Sequence, residues 1–204
     1  MFKDDRCRLY NKYKETIPHI LSGCTKLAGT DYTIRHNQVA KIIHQKLAKK
    51  HNLIEETVPY YKYDPKLIIE NNSHKLYWNR TMLTDRKVDH NRPDIIHIDK
   101  VSKVGYIVDI AVPHATNLKS RISDKIRAYT QLGEEIKRQH KLKKIIHAPI
   151  ILSTTGIIPT QLHTALRTLG LKEGSYLELQ KAALLGSSRI VRKFMELPEF
   201  PYGE

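Results

Sequence analysis

Two aspartates in neighbouring apolar runs are the residues whose types and spacing most directly suggest chemistry. Asp94 precedes the apolar run 95–98, and Asp109 lies within the run 106–112. The polar segment 99–103 between the runs is typical of a β-hairpin, which would place both acids on adjacent strands. A carboxylate among apolar residues is costly to desolvate unless a cation, hydrogen bonds or a metal compensates it. Two such carboxylates could share one hard divalent ion through their oxygens.

A helical segment after residue 113 carries the third candidate group. Lys125 and Tyr129 stand four residues apart, so both would lie on one helix face and lean toward the strand that carries Asp109. A lysine at the flank of an apolar stripe can pack its methylenes while its ammonium reaches a neighbouring cleft. The stripe predicts one long helix and consists of Leu118, Ile122, Ile126, Tyr129, Leu132 and Ile136.

The motif around these acids resembles a nuclease pattern. Pro93-Asp94, a spacer and then Asp109-Ile110-Ala111 resemble the PD-(D/E)XK pattern of restriction-type nucleases, with Ala111 where the motif lysine usually stands. With the Asp-Lys-x-x-x-Tyr that follows, the chain is similar to the restriction-like endonuclease domain of site-specific non-LTR (LINE-type) retrotransposon polyproteins, in which the next helix supplies the lysine. The resemblance covers most of residues 5–172. It implies an α/β, restriction-endonuclease-like core with a central mixed β-sheet flanked by helices.

The resemblance also implies an activity, divalent-metal-dependent hydrolysis of DNA phosphodiester bonds. Asp94, Asp109 and the backbone carbonyl of Ile110 would hold Mg²⁺ or Mn²⁺, and the ion would lower the pKa of the attacking water. Lys125 would stabilise the transition state, and Tyr129 would position that lysine or contact the phosphate. The alternative function is a catalytically inactive DNA-binding module derived from such a domain. Archaeal-type junction resolvases share the expected fold and are a third possibility.

The charge of the chain favours nucleic acid as its partner, with a merely soluble basic protein as the alternative, and the resemblance implies that the nucleic acid is DNA. The 35 Lys and Arg residues outnumber the 21 Asp and Glu residues and give a formal net charge of +14. Neutralisation of phosphates by such cations supplies most of the sequence-independent affinity for nucleic acid. The predicted DNA contacts are Arg35, His36, Arg92, Lys119, Arg121 and Arg127. For Arg35 and His36, which match an Arg-His pair of the family, solvation on a helix surface is the alternative. The resemblance also implies a nuclear location. If the chain is part of a parent polyprotein, it further implies a reverse transcriptase domain or element RNA as partner.

Both cysteines lie in the first 30 residues. Cys7, Tyr10, His19 and Cys24 have the spacing of a Cys-Cys-His-Cys zinc knuckle, except that Tyr10 stands where the second Cys should be. The family carries such a knuckle just ahead of the nuclease. Structural zinc normally takes four Cys or His ligands, so the remaining Cys7, His19 and Cys24 predict weak or absent Zn²⁺ binding. The alternative is a short packed turn and helix without a metal.

The motifs and the apolar patterns together divide the chain into three segments. We predict a degenerate knuckle-like segment over 1–30, an endonuclease-like domain over 31–172, and a C-terminal helical tail over 173–204 that acts as an accessory cap. The tail is expected to lose regular structure at Pro198. Residues 31–50 predict an amphipathic helix, and the apolar run 145–152 predicts a further buried strand.

Other functional classes are disfavoured. No run approaches 18 apolar residues, which disfavours a membrane span, and the N-terminus lacks the apolar region of a secretory signal. The sequence contains no Gly-x-Ser-x-Gly elbow, no phosphate-binding Gly-rich loop and no His-Glu-x-x-His motif. The eleven histidines are scattered, and most are predicted to be surface or cap residues.

Overall fold

The fold is a mixed α/β arrangement, as the sequence predicts. The computed structural model describes residues 5–197. Over this range a five-stranded mixed sheet has helices on both faces. The ends of the two terminal segments, 1–4 and 198–204, and with them the predicted loss of regular structure at Pro198, lie outside the described residues.

The central sheet contains the predicted hairpin. The described strands are β1 (Ile68–Glu70), β2 (His74–Trp78), β3 (Ile95–Asp99), β4 (Val104–Val108), β5 (Ile110–Ala111), β6 (Lys144–His147) and β7 (Ile150–Ile151). Strands β3 and β4 pair antiparallel, with Ile95 opposite Val108. The sheet order is β1-β2-β3-β4-β6, and the pairing of β4 with β6 is parallel.

Two apolar runs that predict continuous strands are each interrupted. Strand β4 ends at Val108 and β5 begins at Ile110, so Asp109 lies at the junction between them. The prediction that Asp109 lies inside a strand is therefore wrong. The run 145–152 likewise divides into β6 and β7 around Pro149, which has no N–H for a strand ladder. Strands β5 and β7 then pair with each other in a separate parallel sheet. The backbone therefore leaves the central sheet at the candidate acid.

The helices confirm one prediction and correct another. They are α1 (Thr25–Ala28), α2 (Asp31–Lys50), α3 (Leu118–Ala128), α4 (Thr130–Gln139), α5 (Thr160–Thr168) and α6 (Tyr176–Phe194). Helix α2 has the predicted bounds. The single long helix predicted after residue 113 is wrong, because Tyr129 has a non-helical backbone (φ −107°, ψ 8°) and separates α3 from α4. None of the described helices is both long and apolar enough to cross a membrane.

Alternating residues of β3 lie on opposite faces of the sheet and pack into different apolar clusters. Ile95 packs into the cluster that includes α2 and α6, whereas Ile96 and Ile98 pack with Leu132 and Ile136 of α4. The two-residue period of a strand explains this division. Helix α2 therefore covers one face of the hairpin and α4 covers the other.

The C-terminal helix belongs to the main core. Leu179 and Ala182 of α6 lie in the same buried cluster as Val39 of α2. The end of α6 also packs on the N-terminal segment, where Phe194 joins the cluster that includes Cys7. The predicted role of this helix as an accessory cap is therefore wrong, since α6 joins the knuckle-like segment to the core.

Candidate active site

The hairpin brings the two acids to the same end of the sheet. Asp94 comes directly before β3 and Asp109 directly after β4, next to the paired residues Ile95 and Val108. The Oδ2 atom of Asp94 accepts a hydrogen bond of 2.7 Å from the backbone N–H of Ile110. This contact ties the first acid to the residue that follows the second acid. The predicted convergence of the two acids is therefore consistent with the structure.

His36 of α2 completes this side of the site. Its Nε2 atom lies 3.1 Å from Asp94 Oδ2 and 3.2 Å from the carbonyl oxygen of Ile110. Its Nδ1 atom faces the side-chain oxygen of Asn37 at 3.1 Å. Both ring nitrogens thus face acceptors, which is the environment of an imidazolium. His36 was predicted to contact DNA, but in the structure it contacts an acid and a carbonyl of the site.

The pKa values of this pair reflect its ionic character. Burial lowers the pKa of His36, but the hydrogen bond and the charge of Asp94 outweigh burial and leave that pKa above its ordinary value. Burial raises the pKa of Asp94, yet His36 and the N–H of Ile110 outweigh it, so the pKa of Asp94 is lowered. Asp94 is therefore a carboxylate near neutral pH.

The second acid faces the predicted lysine. Lys125 of α3 places Nζ at 2.5 Å from Oδ2 of Asp109. This ammonium is the partner of the buried Oδ2 atom within the described part of the chain. Burial and then the charge of Asp94 raise the pKa of Asp109, Lys125 opposes the rise, and the resulting pKa is about 6. Asp109 therefore depends on nearby cations to remain ionised.

Tyr129 lines the same small pocket as Asp109, Lys125 and His147. Its hydroxyl donates a 3.1 Å hydrogen bond to the backbone carbonyl of Arg92. Burial, with the charges of Asp109 and Asp94, raises the pKa of this phenol, so it is a neutral donor. Tyr129 therefore fixes the chain two residues before Asp94, at the point where α3 meets α4.

These groups fit a hard divalent ion. The candidate ligands are the carboxylates of Asp94 and Asp109 and the carbonyl oxygen of Ile110, and oxygen ligands are those that Mg²⁺ and Mn²⁺ prefer. The Oδ2 atom of Asp109 already faces the Lys125 ammonium, so a metal bound there would share this carboxylate with the lysine or displace it. His36 contacts the other two ligand groups and is the cation that now neutralises Asp94.

The predicted DNA contacts separate into one buried and several exposed residues. Arg35 is only 2% exposed, and its guanidinium donates to Ser187 Oγ at 3.1 Å and to the carbonyl of Leu21 at 2.9 Å. The prediction that Arg35 contacts phosphate is therefore wrong, because these internal acceptors occupy the group. The predicted contacts that are exposed are Arg92, Lys119, Arg121 and Arg127.

The knuckle-like segment brings its three candidate ligands together. One ligand atom from each of Cys7, His19 and Cys24 lies within 4.8 Å of the others, and the two sulfurs are 4.0 Å apart. Tyr10, which stands at the missing ligand position, stacks on His19 and places its hydroxyl 3.4 Å from His19 Nε2. The group is a possible metal site in which a phenol lies beside one of the ligands.

A second possible metal-binding group was missed by sequence reasoning. His51, His74 and His97 also bring one nitrogen each within 4.8 Å of the others. His97 is buried, as is His44, so the prediction that histidines lie mostly at the surface or in caps fails for both. A signal was present, since His97 interrupts the apolar run 95–98 just as Asp109 interrupts its own run.

No protein-family model matches this sequence, and no curated protein is significantly similar to it. The resemblance to retrotransposon endonuclease domains therefore stays a prediction, and the evidence for a function is the geometry of the acids and the lysine.

Proposed function

We propose that this chain is a divalent-metal-dependent DNA endonuclease that hydrolyses phosphodiester bonds, of the type that nicks nuclear target DNA for a non-LTR retroelement. The observation that carries the proposal is the convergence of two acids and one ammonium at one end of a hairpin. Asp94 and Asp109 flank paired residues of β3 and β4, and Lys125 lies 2.5 Å from the buried Asp109 carboxylate. Two acids can hold a divalent ion, and a lysine beside them can stabilise the negative charge of a reacting phosphate.

Asp94, Asp109 and the carbonyl of Ile110 would hold the ion, Mg²⁺ or Mn²⁺. When bound, such an ion supplies Lewis acidity and a water that deprotonates near neutral pH. The amide of Ile110 holds the Asp94 carboxylate in place through its 2.7 Å hydrogen bond. Because this contact is a backbone contact, it orients the acid whether or not a ligand is present.

Lys125 supplies the positive charge in this proposal. Its side chain is 30% exposed, so its ammonium can reach both Asp109 and an approaching phosphate. A fixed cation beside a phosphate stabilises the negative charge that develops in the transition state. The exposed cations Lys119, Arg121 and Arg127 lie on the same helix, α3, and would bind neighbouring phosphates of the backbone.

Cleavage of supercoiled plasmid with and without Mg²⁺ tests the proposal. Wild-type protein should convert the supercoiled form to the nicked form with Mg²⁺ or Mn²⁺, and EDTA should stop the reaction. Asp94→Ala should abolish nicking while leaving salt-sensitive DNA binding largely in place. If Asp94→Ala nicks at the wild-type rate, the activity belongs to another site or to a contaminant, and the proposal fails.

One observation favours the second candidate, a catalytically inactive DNA-binding module. His36 contacts Asp94 Oδ2 and the carbonyl of Ile110, two of the three candidate ligand groups, and can neutralise the acid without a metal. Wild-type protein that binds duplex DNA but leaves it intact in Mg²⁺ and Mn²⁺ would establish this alternative. Preferential cleavage of four-way junctions over linear duplex would instead indicate a junction resolvase.

The cysteine cluster is, in this proposal, a zinc knuckle that has lost its fourth ligand. Cys7, His19 and Cys24 remain close together, and Tyr10 stacks on His19. A phenol is a poor zinc ligand near neutral pH, so we expect weak or no zinc binding. Metal analysis of protein purified without added zinc tests this, and a zinc content of one ion per chain that is lost in Cys7→Ser would contradict it.

A further inference from the structure

Three histidines from three different elements meet on the α2 face of the central sheet. His51 follows the last residue of α2, His74 opens β2 and His97 lies in the middle of β3. Their ring centroids are 3.9 Å (His51–His74), 4.4 Å (His51–His97) and 5.3 Å (His74–His97) apart. Because these residues are far apart in the sequence, only the folded chain creates the cluster.

The surrounding structure holds one of the rings and the backbone of the other two histidines. The His97 ring stacks on Tyr106 of β4 with an interplanar angle of 12°. The side chain of Asn71 donates to the backbone carbonyl of His51 at 3.0 Å and accepts the backbone N–H of His74 at 2.8 Å. These contacts outside the cluster keep the three residues next to one another, which favours a preorganised site.

We propose that His51, His74 and His97 form a transition-metal site that takes Zn²⁺, with water as the fourth ligand. The positions of the nitrogens support this assignment, because one nitrogen from each ring lies within 4.8 Å of the others. Two nitrogens that bind one tetrahedral Zn²⁺ at its usual bond length are about 3.3 Å apart. His74 faces His51 through Nε2 and His97 through Nδ1, at 3.2 Å each, and one ion binds only one of these two nitrogens, so metal binding breaks one of the two contacts.

The position of the cluster in the fold favours a cation. The three histidines lie at the C-terminal end of the 20-residue helix α2, whose partial negative charge attracts a cation.

The structure leaves lone pairs available for this role. His51 Nε2 is buried and has no hydrogen-bond partner within residues 5–197. A set of three imidazoles suits Zn²⁺ and related transition metals, whereas Mg²⁺ and Mn²⁺ prefer oxygen ligands. This site is therefore chemically distinct from the acids, of which Asp94 directly precedes β3, three residues or about 10 Å from His97 along the chain. The metal would join the end of α2 to β2 and β3.

The competing interpretation is a chain of N–H···N hydrogen bonds without a metal, because 3.2 Å also suits that contact. Titration of untagged, chelator-treated protein with Co²⁺, followed by visible absorption, distinguishes the two. We expect one equivalent of Co²⁺ to give ligand-field bands without the thiolate-to-metal charge-transfer band that Cys7 and Cys24 would produce. Zn²⁺ should then displace the Co²⁺ and abolish the bands.

His74→Asn and His51→Asn should each weaken Zn²⁺ binding by on the order of 100-fold, since loss of even an outer-shell partner costs 10–100-fold. The matched control is His140→Asn, which changes a half-buried histidine outside the cluster and should leave the affinity unchanged. Far-UV circular dichroism checks the fold of each variant. An absence of nitrogen-only bands in the wild-type protein overturns the proposal, as does an affinity that neither variant changes.

Discussion

The ammonium of Lys125 lies 2.5 Å from a carboxylate oxygen of Asp109, a residue that is only 4% exposed. This ion pair joins helix α3 to the junction between β4 and β5. Because burial alone would favour the neutral acid, the lysine helps to keep Asp109 ionised and able to bind a metal. The same contact places the ammonium at the pocket that Asp109 lines, where, under the proposed function, it would also bind a phosphate.

Lys125→Ala should reduce Mg²⁺-dependent nicking about 100- to 1000-fold, because it removes a cation fixed beside the developing charge. The rate of plasmid nicking under single-turnover conditions measures this effect. Lys119→Ala is the matched control, since Lys119 lies on the same helix but is exposed; it would weaken DNA binding, but with enzyme in saturating excess it should keep a rate close to that of the wild type. Equal losses in the two variants would mean that α3 contributes only general positive charge.

Divalent-cation binding should weaken as the pH falls through about 6, the pKa to which burial raises Asp109. Above that pH the group is a carboxylate and can bind the ion, whereas below it the ion must displace a proton. The apparent affinity should therefore fall up to about tenfold for each pH unit below 6. Titration with Mn²⁺ at pH 7.5 and pH 5.0 measures the change. Asp109→Asn should bind weakly at both values, and a wild-type affinity independent of pH would contradict the role of Asp109.

Arg35→Ala should lower the free energy of unfolding by roughly 3 kcal/mol, because it removes buried charged hydrogen bonds and leaves the carbonyl of Leu21 without its donor. Urea denaturation measures this loss. The exposed Arg92→Ala should instead change stability little and weaken DNA binding. If Arg35→Ala keeps its stability but loses DNA affinity, the structural role assigned to Arg35 is incorrect.

Gly186→Ala should destabilise the packing of α6 on α2. A Cβ at Gly186 would lie 2.6 Å from Cγ and 2.9 Å from Cβ of Arg35, and the second of these atoms cannot swing away. Overpacking of this kind costs about 1–3 kcal/mol, which exceeds the gain of up to about 1 kcal/mol from replacing glycine in a helix. Thermal unfolding measures the net loss. Gly29→Ala has open space around its new Cβ and should be close to neutral.

Removal of the exposed cations of α3 should reduce the salt dependence of DNA binding. Each phosphate contact contributes about 0.9 to the slope of log K against log salt, so replacing Lys119, Arg121 and Arg127 by alanine should lower the slope by up to about 2.7. Fluorescence anisotropy of labelled duplex between low and moderate salt measures the slope.

The control for this experiment is Lys144→Ala. Lys144 is exposed but lies at the opposite end of the sheet from the acids, because it pairs with Val104 at the start of β4. It should leave the slope unchanged. A slope that the triple variant does not alter would place the DNA-binding surface elsewhere.

Local sequence patterns predict an element correctly where the structure of that element depends on its own residues. Helix α2 has the bounds that its apolar periodicity predicts, and β3 and β4 form the hairpin that the two apolar runs indicate. Asp109 was identified because a carboxylate in an apolar run signals a compensating partner. The same signal at His97 is weaker, because a neutral imidazole costs less to bury than a carboxylate, and it does not predict the histidine cluster.

The sequence-based predictions are wrong where packing with residues distant in the sequence determines the structure. Tyr129 divides a helix that its apolar stripe predicts as continuous, and its buried hydroxyl bonds to the carbonyl of Arg92, 37 residues earlier. Arginine usually lies at the surface, but α6 folds back over Arg35 and supplies Ser187 as a hydrogen-bond partner 152 residues away. Neither contact leaves a trace in local sequence.

The sequence by itself determined the α/β class, the hairpin and the identity of the acids and lysine, because periodicity and residue chemistry are local properties. The tertiary structure decided which charges meet: Lys125 with Asp109, His36 with Asp94, and three histidines with one another. The physical reason is that a hydrogen bond forms only within a few ångströms and the Coulomb energy of two charges depends on their separation in space, not in sequence. Those distances are set by how helices α2 and α3 pack on the sheet.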